Sequence, residues 1–130
     1  MSASLVGSVM SLEVYKIIHI AGLALLFASL GGLVTHAMNG GSRDDNPSRK
    51  LLSASHGVAL LLVFVSGFGM HAKLHLDGFP GWFLTKVALW LALGAFVALP
   101  SRAPGTARWQ LAALPLLGAL GAWLALTKPF

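Results

Sequence analysis

Four of the five histidines in this chain lie within or at the ends of two long apolar segments. His19 and His36 belong to the first segment, and His56 and His71 to the second, while His75 follows in a loop. An ionisable side chain is costly inside a bilayer, so its presence there favours a functional hypothesis. Neutral imidazole is a ligand for haem iron and for metal ions. The alternative is that these histidines make hydrogen bonds between helices, as polar side chains in membrane bundles do.

The spacing of the histidines predicts two pairs. In an antiparallel helix pair, residues at equal depth have a constant sum of residue numbers. The sum for His19 with His71 and the sum for His36 with His56 differ by two. One register therefore brings both pairs level within about 3 Å, at about 1.5 Å of rise per residue. Facing histidines are how helix bundles hold b-type haem, so the pattern predicts one or two bis-histidine haems.

The angular positions of the same residues limit this prediction. Seventeen residues separate His19 from His36, which turns their side chains about 100° apart around the helix. The two side chains therefore cannot both point into one flat interface between two helices. A single haem, held by either pair or by His19 with a weaker partner, is the alternative.

Other residues could support a haem. Gly67 falls on the same face of the second segment as His56 and His71, where a flat macrocycle could approach the backbone. Lys16 and Lys86 could receive the propionates on one side of the membrane. On the other side the candidates for this role are Arg49, Lys50, Arg102 and Arg108.

Other chemistry is less well supported. The chain has no cysteine, which excludes thiol catalysis, iron–sulfur clusters, disulfides and thioether-attached haem. His36 with Met38, and Met70 with His71, could hold Cu(I), but two residues are an incomplete set of ligands. Zinc sites usually gather four. Because no Ser-His-Asp grouping falls inside the apolar segments, a redox carrier is favoured over a stand-alone enzyme.

Four apolar segments must position these residues. The chain has 130 residues, of which 56% are hydrophobic and 10% charged, too few charges for the surface of a soluble domain. Each segment approaches the ~20 residues that cross a ~30 Å hydrocarbon core. Because the loops are short, neighbouring segments are antiparallel, and the predicted fold is an all-α integral membrane four-helix up-down bundle in one domain, residues 1–130. The predicted helices span about 14–38, 51–72, 81–99 and 109–126.

Small residues recur at spacings of four. Ala24, Ala28 and Gly32 form such a stripe on the first segment, and Gly118 and Ala122 on the fourth. Stripes of this kind let helix backbones approach closely in lipid. They predict contacts in the bundle core or, alternatively, a homodimer.

The basic residues predict an orientation. The net charge is +5, and its placement at helix ends suits anionic lipid headgroups rather than nucleic acid. The first and third loops share one side and hold every arginine, so the positive-inside rule places that side in the cytoplasm and both termini outside. We expect a multi-pass protein of the bacterial cytoplasmic (inner) membrane. The lysines of the other side are Lys16, Lys73, Lys86 and Lys128.

Short motifs resemble those of known families. Lys16-x-x-His19 on the first helix, Trp82-x-x-x-Lys86 opening the third and the closing LTKPF are similar to a pattern of small four-helix bacterial membrane proteins. These are the SirB-like family, the copper-resistance CopD-like domains and the HemJ-type protoporphyrinogen oxidase. The HemJ resemblance implies b-haem binding by a first-helix histidine, here His19, and oxidation of protoporphyrinogen. The CopD resemblance implies copper handling.

Together these features predict a membrane b-type haem protein that transfers electrons beside a redox partner or within a larger membrane complex. The ligands would come from His19, His71, His36 and His56. One alternative is a non-catalytic accessory or assembly subunit whose histidines are structural. Another is a HemJ-like protoporphyrinogen oxidase.

Overall fold

The computed structural model describes residues 11–74 and 78–130, so His75 lies outside the described residues. Four spans are long and apolar enough to cross a membrane, and the chain is an all-α four-helix bundle and a multi-pass membrane protein. The third span joins two helices through a 3-10 turn at Phe96–Ala98, and a second 3-10 turn, Pro104–Thr106, opens the fourth span. The α-helices are α1 (Leu12–Met38), α2 (Arg49–Lys73), α3 (Gly81–Ala95), α4 (Leu99–Arg102) and α5 (Ala107–Thr127).

Two of the eight span ends, Met38 and Gly81, match the predicted ones, and the other six differ by one to five residues. Helix α1 begins at Leu12 because the hydroxyl of Ser11 accepts a hydrogen bond from the Val14 N–H at 3.4 Å, which caps the first turn. The third span continues to Arg102, beyond the predicted end at residue 99. Pro100 does not stop it because proline is tolerated in the first turn of a helix, here α4.

Helix α1 lies at the centre of the packing. It packs along α2 and also contacts α5, while α3 packs on α5 and makes fewer contacts with α2. Leu26, Leu30 and Val34 repeat every four residues on α1 and are fully buried, against Ala59 of α2 and Leu114 of α5. Because lipid is as apolar as leucine, close packing rather than hydrophobic burial holds such helices together.

Glycine rather than alanine provides the closest approach between α1 and α2. Gly22 is buried, and a Cβ atom placed on it would lie 3.3 Å from the backbone nitrogen of Val63. Gly32, from the predicted stripe, faces the side chain of Leu52, whose methyl carbons would lie 3.0 and 3.1 Å from such a Cβ atom. Ala24 and Ala28 are exposed. The stripe therefore does not run through the core, since α1 is rotated so that only its glycine end meets α2.

One end of the bundle carries the first loop, held by a histidine–aspartate contact. His36 Nε2 lies 2.6 Å from Asp45 Oδ1 and 2.9 Å from the Ser42 carbonyl oxygen, and the Ser42 N–H donates to the same carboxylate at 2.8 Å. The hydrogen bond from His36 lowers the pKa of the Asp45 carboxyl below its ordinary value. His36 thus fastens the loop to the end of α1.

At the opposite end, the last residues of the chain fold onto the start of α3. The Trp82 N–H donates to the Phe130 carbonyl oxygen at 3.0 Å, and a Cβ at Gly81 would collide with the Phe130 ring. Lys128, which has a positive φ of 47°, places its ammonium group 5.3 Å from the centre of the Trp82 ring. Such a distance permits a cation–π interaction.

Candidate functional site

A cavity of about 360 Å³ opens between α1, α2, α3 and the end of α5, at the end of the bundle that carries the lysines. We call it the His19 cavity. Its volume falls within the about 300–1,000 Å³ typical of ligand and cofactor sites, and its lining is mostly apolar, as in such sites. It forms where α2 and α3 make few direct contacts. Five of the seven residues predicted from sequence as site residues line it: Lys16, His19, Gly67, His71 and Lys86.

The tautomer of His19 follows from its partner. Its Nδ1 lies 2.8 Å from Ser66 Oγ, and Ser66 is fully buried. The Ser66 hydroxyl has a single hydrogen, which it donates to the Leu62 carbonyl oxygen at 2.6 Å. In this arrangement Ser66 accepts from His19 Nδ1–H. A neutral imidazole carries one N–H, so His19 Nε2 keeps its lone pair.

That lone pair has no partner among residues 11–74 and 78–130, where His19 makes its hydrogen bond only through Nδ1. Metal-ligating histidines have the same arrangement. An acceptor fixes one ring nitrogen as the donor and thereby orients the other towards the metal. His19 therefore meets the chemical requirement for a residue that would hold a metal or haem iron on the wall of this cavity.

His71 offers a second free nitrogen. Its Nε2 lies 2.7 Å from the Gly78 carbonyl oxygen, which can only accept, so Nε2 carries the hydrogen. Its Nδ1 is buried and has no hydrogen-bond partner in the part of the chain that the structure describes. The ring is stacked on Phe79, with ring centres 5.1 Å apart and planes at 14°. An unsatisfied polar atom in such a place costs free energy, and a ligand would remove that cost.

Aromatic side chains form one wall of the His19 cavity. The ring of Phe64 lies 4.7 Å from that of Phe68 and 5.0 Å from that of Trp90, and Phe68 meets Phe83 edge-on at 5.2 Å. Trp90 is held in place because its Nε1–H donates to the Leu60 carbonyl oxygen at 2.9 Å. The result is a cluster of aromatic rings, tilted relative to one another, that offers apolar contact to a planar conjugated ligand beside His19.

Three lysines line the same cavity: Lys16, Lys86 and Lys128. Lys128 Nζ donates to the Ala125 carbonyl oxygen at 2.8 Å. The one ion pair found within the described residues joins His36 to Asp45, so none of these lysines is paired with a carboxylate there. Cations next to an apolar cavity favour a ligand with negatively charged groups.

Gly67 faces His19 across the helix pair. A Cβ atom on it would lie 3.6 Å from His19 Cε1, which is ordinary van der Waals contact. The glycine therefore leaves room beside the imidazole, on the side where the cavity opens. That a macrocycle occupies this space stays a prediction.

His36 and His56 lie elsewhere. They line a second cavity of about 400 Å³ at the opposite end of the bundle, which we call the arginine cavity. His36 Nε2 is engaged by Asp45 and Ser42, and His56 Nε2 donates to the Leu93 carbonyl oxygen at 3.0 Å. The structure thus groups the histidines as the sequence pairs them, but hydrogen bonds engage the Nε2 atoms of this second pair.

Two features of the His19 cavity were not anticipated from the sequence. Ser66 lies next to Gly67 in an apolar run. A serine about one turn from the depth of a histidine on the facing helix is a natural hydrogen-bond acceptor, but this is recognisable only once the structure is known. Lys128 reaches the cavity through the turn at the chain end. In the described residues, no three His, Asp or Glu side chains gather as a metal-ion site.

The geometry defines a class: an α-helical multi-pass membrane protein with a histidine- and lysine-bordered cofactor-sized cavity near one membrane surface. Comparisons with protein families, with curated proteins and with solved structures find no match to this chain. The resemblance to SirB-like, CopD-like and HemJ-type proteins therefore stays a prediction, and any functional proposal rests on the cavity itself.

Proposed function

We propose that this chain is a membrane b-type haem protein that binds one haem in the His19 cavity and transfers electrons. The observation that carries the proposal is the contact between His19 and Ser66. It leaves the His19 Nε2 lone pair free beside an apolar cavity of cofactor size. Among protein ligands for haem iron, a histidine oriented in this way is the commonest proximal type.

The remaining groups fit a haem in separate ways. His71 also lines this cavity, and its buried Nδ1 has no hydrogen-bond partner in the described residues. The aromatic wall of Phe64, Phe68 and Trp90 offers apolar contact for a flat ring and keeps water away. Lys16 and Lys86 can receive carboxylates. A haem held by these residues would supply one-electron chemistry, with a potential set by its ligands and by burial.

We propose one haem rather than two. In the arginine cavity the Nε2 atoms of both His36 and His56 are hydrogen-bonded. Among the described residues, no phenylalanine, tyrosine or tryptophan lines that cavity, so it lacks the aromatic wall found beside His19. In the His19 cavity the free nitrogen of each histidine is already unpaired in the described structure.

A second candidate function is a non-catalytic accessory subunit whose histidines are structural. It is favoured by the fact that each histidine in the described residues makes a hydrogen bond within the protein. Their partners are Ser66, Asp45, Leu93 and Gly78. This function leaves the three unpaired lysines and the size of the His19 cavity without a role, so we place it second.

The absorption spectrum of the protein distinguishes these functions. Expressed with ample haem and purified in detergent, the chain should show a Soret band that shifts on reduction, because iron bound to imidazole changes its electronic state with its charge. His71→Ala should alter the spectrum by removing the second ligand. A colourless preparation would instead support the accessory subunit. An unchanged spectrum in His71→Ala would assign the iron to His19 alone.

We further propose that the arginine end faces the cytoplasm of a bacterial inner membrane, which places the His19 cavity near the outer surface. The support is the positive-inside rule. Arg43, Arg49 and Arg102 line one cavity at that end, and the lysines border the other. A reporter fused after Phe130 that is active only outside the cytoplasm should be active. An inactive reporter, with a cytoplasmic one active in the same position, would reverse the orientation.

A further inference from the structure

The arginine cavity gathers positive charge from three separate elements. Arg43 comes from the first loop, Arg49 from the start of α2 and Arg102 from the end of α4. No carboxylate of the described residues lines this cavity, and none pairs with these three side chains there. Guanidinium groups repel one another, and each offers a planar fork of donors that matches phosphate and carboxylate oxygens. Their convergence indicates an anionic ligand.

The first turn of α2 adds to the positive electrostatic potential of the arginine cavity. The helix begins at Arg49, and Ser48 in the cap position makes no side-chain hydrogen bond to it. The positive end of the helix dipole is therefore not neutralised by a side-chain cap. Arg49 and Ser53, both near this end, line the cavity. Backbone N–H groups at a helix start are a common element of phosphate sites, although they do not define one alone.

His56 supplies an independent indication of what the ligand carries. Only 4% of its surface is exposed, and its Nε2–H donates to the Leu93 carbonyl oxygen. Its Nδ1 consequently holds a lone pair, which makes no hydrogen bond to any residue in the described ranges, and the side chain borders the cavity. This lone pair can accept a hydrogen bond from a hydroxyl of a ligand in the cavity. A ligand for this cavity should therefore combine anionic oxygens with a hydroxyl group.

We propose that the arginine cavity binds a phosphate group that carries or adjoins a hydroxyl, held by the arginines through its oxygens and by His56 Nδ1 through the hydroxyl. The headgroup of phosphatidylglycerol has both features, and so does free hydrogen phosphate. The cavity is lined by residues from the first loop and from the adjoining ends of the spans, and the ends of a membrane span meet the lipid headgroups. This site does not depend on haem in the His19 cavity.

The test is a binding titration of the full chain, delipidated in a neutral maltoside detergent and followed by native mass spectrometry. Phosphatidylglycerol should bind saturably, and phosphatidylcholine with the same acyl chains should bind much less. Arg49→Gln and, separately, Arg102→Gln should weaken phosphatidylglycerol binding about tenfold or more, since a hydrogen bond to a charged group contributes about 1.5–3 kcal/mol. Arg108→Gln removes the same charge from an exposed residue outside the cavity lining and should leave binding unchanged.

Inorganic phosphate, titrated alone, distinguishes the two sources. Saturable binding that is lost in the Arg49 and Arg102 variants assigns the site to free phosphate, and binding of the lipid alone assigns it to a headgroup. Both results support a phosphate site. The proposal is overturned if neither ligand prefers the wild-type chain over these variants, or if Arg108→Gln weakens binding as much as they do. In the latter case the effect is one of general surface charge. Because Arg102 is exposed at a helix end, its variant remains informative if Arg49→Gln fails to fold.

Discussion

Replacing His19 with alanine is expected to abolish haem binding. The substitution removes the nitrogen lone pair that the Ser66 contact fixes towards the His19 cavity. Loss of a residue that merely orients a ligand lowers metal affinity about 10–100-fold, so loss of the ligand itself should weaken haem binding at least about a hundredfold. The measurement is the Soret absorbance per chain of the purified variant, relative to the wild type.

His36→Ala is the matched control for this experiment. It removes a histidine from the same helix, at the opposite end of the bundle, where Nε2 is engaged by Asp45. We expect the variant to keep its haem. Equal Soret absorbance in His19→Ala and wild type would contradict the assignment of the site. Loss of haem in His36→Ala alone would move the site to the arginine cavity.

Replacing Gly22 with valine is expected to destabilise the bundle by about 1–3 kcal/mol, the usual cost of overpacking. A Cβ atom there would lie 3.1 Å from Leu62 Cβ and 3.3 Å from the Val63 backbone nitrogen. A backbone atom cannot rotate away, so α1 must move from α2. Ser66 follows one turn later on α2, and the same movement should weaken its contact with His19 and lower haem content.

Gly31→Val provides the comparison. Gly31 is on the same helix, and a Cβ atom placed on it has nothing within 4 Å. Both variants make the same change in helix propensity, so the difference between them isolates packing. Thermal unfolding in one detergent should show a lower midpoint for Gly22→Val than for Gly31→Val. Equal midpoints would show that the α1–α2 contact at Gly22 does not limit stability.

The sequence predicts the spans well because a membrane leaves few alternatives: an apolar run of about 20 residues must be a helix. The main differences are the end of the third span, predicted at residue 99 and found at Arg102, and the start of the fourth, predicted at residue 109 and found at Pro104. Pro100 lies where a helix can accommodate proline, which composition alone does not reveal.

The relative depths of the histidines along the bundle were predictable from residue numbers, whereas the rotation of each helix about its axis was not. The residue numbers group His19 with His71 and His36 with His56, and each pair does line one cavity. Residue numbers do not determine how each helix is rotated about its axis, so they could not predict the Ser66 contact or the exposure of Ala24. The side chains of His19 and His36 are turned about 100° apart around the helix. This is compatible with the structure, because they line two separate cavities at opposite ends of the bundle and need not point at the same helix interface.

Contacts made by loops and chain ends were also not predictable from the sequence. His36 meets Asp45 across a polar loop, and Lys128 reaches Trp82 through a turn with positive φ. No periodicity encodes such contacts, since they depend on the backbone path of a few irregular residues. They matter here because one engages a predicted ligand and the other places a cation beside the His19 cavity.

The most direct test of the central claim is the number of haems bound per chain in the purified wild-type protein. Haem is extracted and quantified from its reduced pyridine complex, and the chain is quantified by amino-acid analysis. We expect one haem b per chain, because the His19 cavity combines unpaired imidazole nitrogens with an aromatic wall, which the described residues do not provide in the arginine cavity. A value of zero after expression with ample haem would contradict it, and a value of two would show that the arginine cavity is also a haem site.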